Sequence, residues 1–427
     1  MSITQYEFEM LSNPPCLQFY REDYEEAQGI PIRNYSRIFF QDSIFTLFPV
    51  AEVYYQDHSG LISDKVFFVE GLELATKLGY EKTETALEDG TIIEEGGYLE
   101  HEYVWSESQF NNVMLSNHLS GDVVFLLISK YFMNDFEKCI TYNHENQDEL
   151  KTISDILKDD ILPAWGFLPE KYKDTISDTF GTPYLNQLNM TNRTFIKLLA
   201  EYAYSKNFQT SGFYTFINCN GEFYFMTIQE MLNQPSVSQY KIDLAEDMTI
   251  NAGIIKDYNI LHGGLPVNKD NYNRKFFHYD ENGGIVEEDK HIQDSLSDLD
   301  TASKLLVRKQ YVPSDPSVIS YFGILPEDNK EFYQGYKNYF YRDTALCYRM
   351  VVVVQFNSKN VSGKTIEITI EKANNEEEIA TEYAGKWLIC ESYHTMNEEG
   401  IPYQQLIISK PKIQIDKDHT FYDDFAK

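Results

Sequence analysis

Apolar and polar residues alternate with a period of two along much of the chain, and that period predicts strands. Val53 and Tyr55 alternate with Glu52, Tyr54 and Gln56 until the turn Asp57-His58-Ser59-Gly60. Further on, Leu72, Leu74 and Leu78 alternate with Glu73 and Lys77, and Leu99, His101, Tyr103 and Trp105 share one face against Glu100 and Glu102. One apolar face repeated over several segments predicts an antiparallel sheet between Ile38 and Trp105. The period then changes. From Thr152 on, Ile153, Ile156, Leu157, Ile161 and Leu162 recur at helical spacing. Asp155 stands where a capping box needs its acid, and Pro163 and Gly166 are expected to end the helix. A second helix is expected after Thr191, with Phe195, Leu198, Leu199 and Tyr202 as its apolar stripe. Phe213 to Ile217 and Glu222 to Thr227 read as a hairpin turned through Asn218-Cys219-Asn220-Gly221.

From about Lys241 the strand pattern returns. Met350 to Phe356 is apolar, and Ile366, Ile368 and Ile370 alternate with Thr365, Glu367, Thr369 and Glu371. Trp387 to Tyr393 and Tyr403 to Ser409 read as a closing hairpin around Asn397 to Gly400. Between these, Asp280 to Asp300 holds eight acids and a single Lys, together with Gly283-Gly284, which predicts a solvated loop or mobile insert. The fold class is therefore mainly β with an α+β insert, and 427 residues exceed what one core usually serves.

Charge changes the picture next. With 36 basic and 67 acidic residues the net charge is −31, and such a surface repels phosphate backbones and anionic lipid. Sequence-specific DNA binding is a poor fit. Acidic walls suit a conduit through which DNA slides without sticking, and they also serve plain solubility. The 32 Tyr and 28 Phe against 3 Trp suit strands and protein interfaces, although AT-rich coding favours the same residues. Cys16, Cys139, Cys219, Cys347 and Cys390 are scattered and odd in number, so neither a disulfide framework nor a Cys-based zinc site is expected. Glu7 and Glu9 interrupt Met1 to Pro15, and the longest apolar run is Val123 to Ile128, so neither a signal peptide nor a membrane span is expected.

The chemical motifs are incomplete. Gly363-Lys364-Thr365 looks like the end of a phosphate loop, but Ser358 occupies the place of its first glycine and a strand follows. His262-Gly263-Gly264 has no GxSxG partner, and Asp280 to Gly284 lacks the later ligands of a calcium loop. The nine histidines form no HxH or HExxH; His101 and His394, on alternating strands, read as packed or interfacial residues. A glycosidase carboxylate pair is set in space and cannot be named from spacing. No catalytic, cofactor-binding or metal-ligating residue is nominated.

Three stretches together resemble the baseplate hub proteins of contractile-tailed phages, a family related to the base of type VI secretion spikes. The first runs from Asp42-Ser43-Ile44 through Phe48-Pro49-Val50-Ala51-Glu52-Val53 to Asp57-His58-Ser59-Gly60-Leu61. The second runs from Thr152 to Leu157 through Trp165-Gly166-Phe167 and Thr191 to Ala200, ending in the hairpin Phe213 to Phe225. The third is Ala384 to His394 with the returning strand Gln404 to Lys410. The resemblance implies two tube-like β-barrel domains flanking a small helix-helix-hairpin domain. Its expected boundaries are an N-terminal extension over 1–33, a first barrel over 34–148, an inter-barrel domain over 149–240 and a second barrel over 241–427, with an acidic insertion at about 280–341. It further implies a non-enzymatic virion protein, assembled in the host cytoplasm as a homotrimer. That ring of six barrels joins the sixfold tail tube to the threefold central spike. The implied partners are the tail tube protein, the central spike protein, other baseplate proteins, the tape measure protein, and genomic DNA passing without specific binding; no membrane insertion is implied. A carbohydrate-binding tail adhesin, suited to the Tyr-rich composition, is the alternative; a cell-wall hydrolase would need a catalytic segment.

Overall fold

A computed structural model describes residues 16–20, 35–57, 73–86, 92–111, 121–144, 149–207, 212–243, 253–255, 257–263, 274–279, 285–288, 318–324, 346, 348–372, 375–378, 383–396 and 402–410. The N-terminal β region supplies β1 (Cys16–Tyr20), β2 (Tyr35–Ser43), β3 (Val50–Asp57), β4 (Glu73–Ala86), β5 (Ile92–Asn111) and β6 (Gly121–Ser129). The α+β unit supplies β7 (Lys138–Tyr142), β8 (Leu185–Met190), β9 (Phe213–Ile217) and β10 (Phe223–Thr227). The C-terminal region supplies β11 (Ser236–Asp243), β12 (Asp257–Gly263), β13 (Arg274–Tyr279), β14 (Ile285–Glu288), β15 (Val318–Ile324), β16 (Tyr348–Gln355), β17 (Thr365–Lys372), β18 (Asn375–Glu378), β19 (Gly385–Met396) and β20 (Pro402–Lys410).

The two β regions share one thirteen-stranded sheet, because β2 pairs with β19. Counted from β2, the first region runs β2, β3, β6, β5, β4, β1; counted from β12, the second runs β12, β16, β20, β19, β17, β11. With β18, which pairs with the far end of β17, and the separate sheet of β13–β15 set aside, the six strands of each region come in the same chain order: second, third, sixth, fifth, fourth, first. The likeness extends to register. A one-residue bulge lets Trp105 and Glu107 of β5 face Leu127 and Leu126 of β6, and another lets Ile389 and Glu391 of β19 face Ile408 and Ile407 of β20. On the other side of these strands, pairing starts one residue before each bulge, Val104 with Glu73 and Leu388 with Thr365. The last pairing differs: β1 is antiparallel to β4, whereas β11 is parallel to β17.

Alternation builds the C-terminal core. Met350, Val352 and Val354 of β16 and Ile366, Ile368 and Ile370 of β17 turn inward onto Trp387, Ile389, Leu406 and Ile408. Each such side chain contributes roughly 1.5–3 kcal/mol by leaving water. The α+β unit has its own core, which also takes in Leu47 and Phe48 from the loop after β2. Its hairpin β9–β10 is buried on both faces: Phe213, Ile217, Phe223 and Phe225 face the helices, while Tyr214, Phe216, Tyr224 and Met226 face Ile44, Leu388 and Cys390. The hairpin is thus the wedge between the unit and the sheet.

Some expectations change. The capping box of Thr152 and Asp155 forms, but the helix does not stop at Pro163. It passes through a π-helical stretch, Ile156–Ile161, where Leu162 N–H reaches Leu157 C=O, and Pro163 then enters in the first turn of Leu162–Trp165, where its ring is tolerated. Gly166, at φ 95°, caps that segment. The second helix, Asn192–Tyr202, starts after Thr191 as expected, with the Thr191 hydroxyl accepting from Thr194 N–H, yet its buried stripe is Phe195, Ile196, Leu199 and Ala200, with Leu198 and Tyr202 at the margin. The acidic run is not all loop, because Ile285–Glu288 pairs antiparallel with β13, which also pairs in parallel with β15. Among the described residues no helix is long and apolar enough to cross a membrane.

Candidate functional site: the joint between the β regions

One edge of β19 serves two partners. Its first residues, Gly385 to Leu388, pair with β17, and Glu391 to Thr395 pair with β2. Asp42 sits at this joint, opposite Ser392, and is fully buried. A buried carboxyl group needs donors, and Asp42 has four. Cys219 N–H donates at 2.6 Å, Ser362 N–H at 3.1 Å and Ser362 Oγ–H at 2.7 Å, and the Ser392 hydroxyl also donates to it. One side chain therefore ties β2 to the hairpin turn, to the segment between β16 and β17, and to β19.

The polar contacts continue behind Ser392, and their donors and acceptors close. Gln404 Nε2 donates to Asn357 C=O at 2.7 Å and meets His394 Nδ1 at 2.7 Å. An amide nitrogen only donates, so Nδ1 is the acceptor and the ring proton lies on Nε2, aimed at Ser392 Oγ 2.9 Å away. Gln404 Oε1 accepts from Asn360 Nδ2 at 3.0 Å, and that nitrogen also reaches Tyr240 Oη at 2.6 Å. Ser238 Oγ–H donates to Asn360 Oδ1 at 2.9 Å, while Asn357 Nδ2 donates to Ser238 Oγ at 3.2 Å and to Glu94 C=O at 2.8 Å. The path runs from the first region through the second and back.

The β4–β5 hairpin docks onto the same segment through its glycines. Gly96 N–H donates to Phe356 C=O and Ser358 N–H donates to Gly96 C=O, both at 2.9 Å. Gly97 turns at φ 87°, and a Cβ there would lie 2.2 Å from the Ser358 side-chain oxygen, so glycine suits the position on both counts. Lys359 and Glu94 form an ion pair at the rim.

Burial sets the electrostatics. It holds His394 down to about 4 although Asp42 opposes it, and holds His101 down to about 3, with Lys171 and Lys130 adding to the effect. Burial and the nearby Asp42 push the Cys219 thiol well up. His101 lies apart from the joint, its Nε2 2.9 Å from Ser129 Oγ. Both histidines are therefore buried in separate polar clusters.

Two chemistries are testable on this geometry. Ser392, His394 and Asp42 are the residue types of a hydrolytic triad, but there the histidine bridges serine and carboxylate. Here the hydroxyl is the bridge, and all three side chains are closed to solvent. Asp42, Cys219 and His394 also place potential metal ligands within 4.8 Å of one another. Both imidazole nitrogens are spent on hydrogen bonds and the thiol is held protonated, whereas a metal requires free lone pairs and a thiolate. The arrangement works as a lock.

The remaining sequence motifs are packing features or lie elsewhere. Gly363 turns at φ 87° against Phe216, and Lys364 Nζ lies 3.2 Å from Glu222, so Gly363-Lys364-Thr365 anchors the wedge hairpin. His262 and Gly263 end β12, while Gly264 and Asp280 to Gly284 lie outside the described residues. Asp42, Asn357, Asn360, Ser362, Ser392 and Gln404 were not nominated. For Asp42, Ser392 and Gln404 the signal was a polar residue placed among apolar strand positions, as at Asp42 two residues after Phe40, whereas Asn357, Asn360 and Ser362 lie between β16 and β17.

No protein-family model matches the chain, and no curated protein matches it. Solved structures do. A prophage MuSo2 43 kDa tail protein from Shewanella oneidensis aligns at 11% identity over 93% of this chain and 98% of its own, with a TM-score of 0.46. A Francisella PdpA-VgrG complex chain aligns at 9% identity over 96% of this chain and 60% of its own, with a TM-score of 0.45. The tail protein from Neisseria meningitidis MC58 aligns at 8% identity over 93% of this chain and 97% of its own, with a TM-score of 0.50, and this chain has that tail-protein fold.

Proposed function

We propose that the chain is a structural, non-catalytic subunit of a phage tail baseplate hub, and that three copies close into a ring of six similar β modules. The observation that carries this reading is the repeated strand order within one chain, joined edge to edge at β2 and β19. Two like modules per chain give threefold symmetry by chain and near-sixfold symmetry by module. Such a ring can meet a sixfold tail tube on one face and a threefold central spike on the other, alongside other baseplate proteins and the tape measure protein. The net charge of −31 supports an acidic channel in which genomic DNA does not bind.

Native mass measurement and averaged electron images of the purified chain test the reading. The expected result is a trimer with six lobes around a pore; a monomer, or a twofold dimer without a pore, overturns it. Specific glycan binding by such a monomer would favour a tail adhesin.

A further inference from the structure

Among the described residues, the joint inside the chain has an unfilled counterpart at the outer edge. β2 lays Phe39 to Ser43 antiparallel against Thr395 to Glu391 of β19. In the second region the place of β2 is taken by β12, and in the first region the place of β19 is taken by β5. Among the described residues β12 pairs only with β16, and beyond Val104 the β4-side edge of β5 pairs with no strand. We propose that β12 of one chain adds antiparallel to residues Glu107 to Asn111 of β5 in the next chain, repeating between chains the joint that β2 and β19 make within one. This rests on the ring reading above and names the surface that closes it.

The bulges fix the register. They make Trp105 equivalent to Ile389 and Leu127 equivalent to Ile408, so Phe110 and Asn111 take the places of His394 and Thr395. Phe40 faces Ala51, which faces Leu127; Ile260 faces Met350, which faces Ile408. Ile260 is therefore the counterpart of Phe40, and Asn259 that of Phe39. Phe40 lies opposite His394 within the chain, so Ile260 is to lie opposite Phe110 of the next chain, and Asn259 opposite Asn111.

Exposure supports the assignment. Phe40, with its joint closed, is 2% exposed, whereas on β12 Tyr258, Ile260 and Leu261 are 44%, 42% and 49% exposed. An unpaired edge carrying large apolar residues is a template for another strand. The contact is heterologous: the edge of a second region meets the middle strand of a first region, which is the kind that closes rings.

Paired cysteines in the full-length chain test the register. Facing residues of an antiparallel pair have Cα atoms about 4.5–5.5 Å apart, within disulfide reach. Ile260→Cys combined with Phe110→Cys is expected to give, after mild oxidation, a ladder up to three chains on a non-reducing gel. The displaced pair Ile260→Cys with Asn111→Cys is expected to give about tenfold less, because a one-residue slip turns the thiols to opposite faces. A trimer by mass in which the two pairs cross-link equally, or not at all, overturns this joint and leaves the ring reading standing. A monomer by mass overturns both. As a second variant, Ile260→Lys is expected to convert the trimer to monomer while leaving thermal unfolding of the monomer unchanged, and an intact trimer would count against the joint.

Discussion

The two β regions share a strand order and a bulge, and they part at their last strand, where β1 runs antiparallel to β4 and β11 runs parallel to β17. The delivery of β11 explains its direction. The helix Ile228–Asn233 ends at Gln234, whose carbonyl accepts from Thr365 Oγ1 at 3.1 Å and from Lys386 Nζ at 2.8 Å. Its amide Nε2 reaches Gly363 C=O at 3.2 Å. The chain is thus pinned beside the start of β17 and can only run along it in the same sense. The interior of each module is dictated by packing, and its margin by where the chain arrives.

The largest test of the comparison lies at the equivalent positions Phe40 and Ile260. In the separated chain, Phe40→Ala is expected to cost about 3–5 kcal/mol in denaturant unfolding, as for other buried aromatics. Ile260→Ala is expected to change it by less than about 0.5 kcal/mol. Equal losses would show that the outer edge is already covered. Asp42→Ala breaks the same joint by another route, leaving the buried Cys219 N–H, Ser362 N–H and Ser392 hydroxyl without their acceptor, while the Ser362 hydroxyl keeps the Cys390 carbonyl at 3.2 Å. A loss of about 3 kcal/mol or more is expected, since each orphaned buried group costs about 1–3 kcal/mol.

Acid should weaken the first region and the joint together. His394, with Asp42 and the Cys219 thiol beside it, is held down to about 4, and His101, near Lys171 and Lys130, to about 3. Unfolded histidines take protons near 6.5, so below that pH the unfolded chain binds more protons than the folded one. The stability contributed by neutral burial is full above pH 6.5 and is lost as pH falls toward 4 and 3. Its slope is at most about 1.4 kcal/mol per pH unit for each histidine. Urea midpoints at pH 7, 6 and 5 measure the slope, and His394→Gln should remove one histidine's share. The smallest effect is expected at the rim, where Glu94→Gln should leave the thermal midpoint unchanged, because an exposed pair with Lys359 is screened by water and salt.

Legible in advance were features written in local spacing. The strand around Ile366, Ile368 and Ile370, the Thr152 cap, the helix start after Thr191, and the Asn-Gly hairpin all depend on residues within a few positions of one another. The lock at Asp42 was not legible, because its donors come from residues 219, 362 and 392 and only the fold assembles them. Charge misled at Ile285–Glu288, where acidic flanks signalled a loop but backbone pairing made a strand. Pro163 misled because a π-helical turn shifts the hydrogen-bond ladder before it. The repeat between the regions shows through pairing partners, since equivalent positions such as His394 and Phe110 differ in chemistry and Phe40 and Ile260 have only apolarity in common.

The β2–β19 contact has a kinetic consequence. It is made within one polypeptide, so it forms at the effective concentration of a tethered pair, on the order of millimolar or higher, whatever the abundance of the protein. In a ring built from such chains, half of the joints are settled when each chain folds, and only the other half depend on encounter. Loss of translational freedom is then incurred for two association steps instead of the five needed to gather six separate modules. In the proposed ring, fusion of the modules would thus shift closure to far lower protein concentration, without strengthening any single contact.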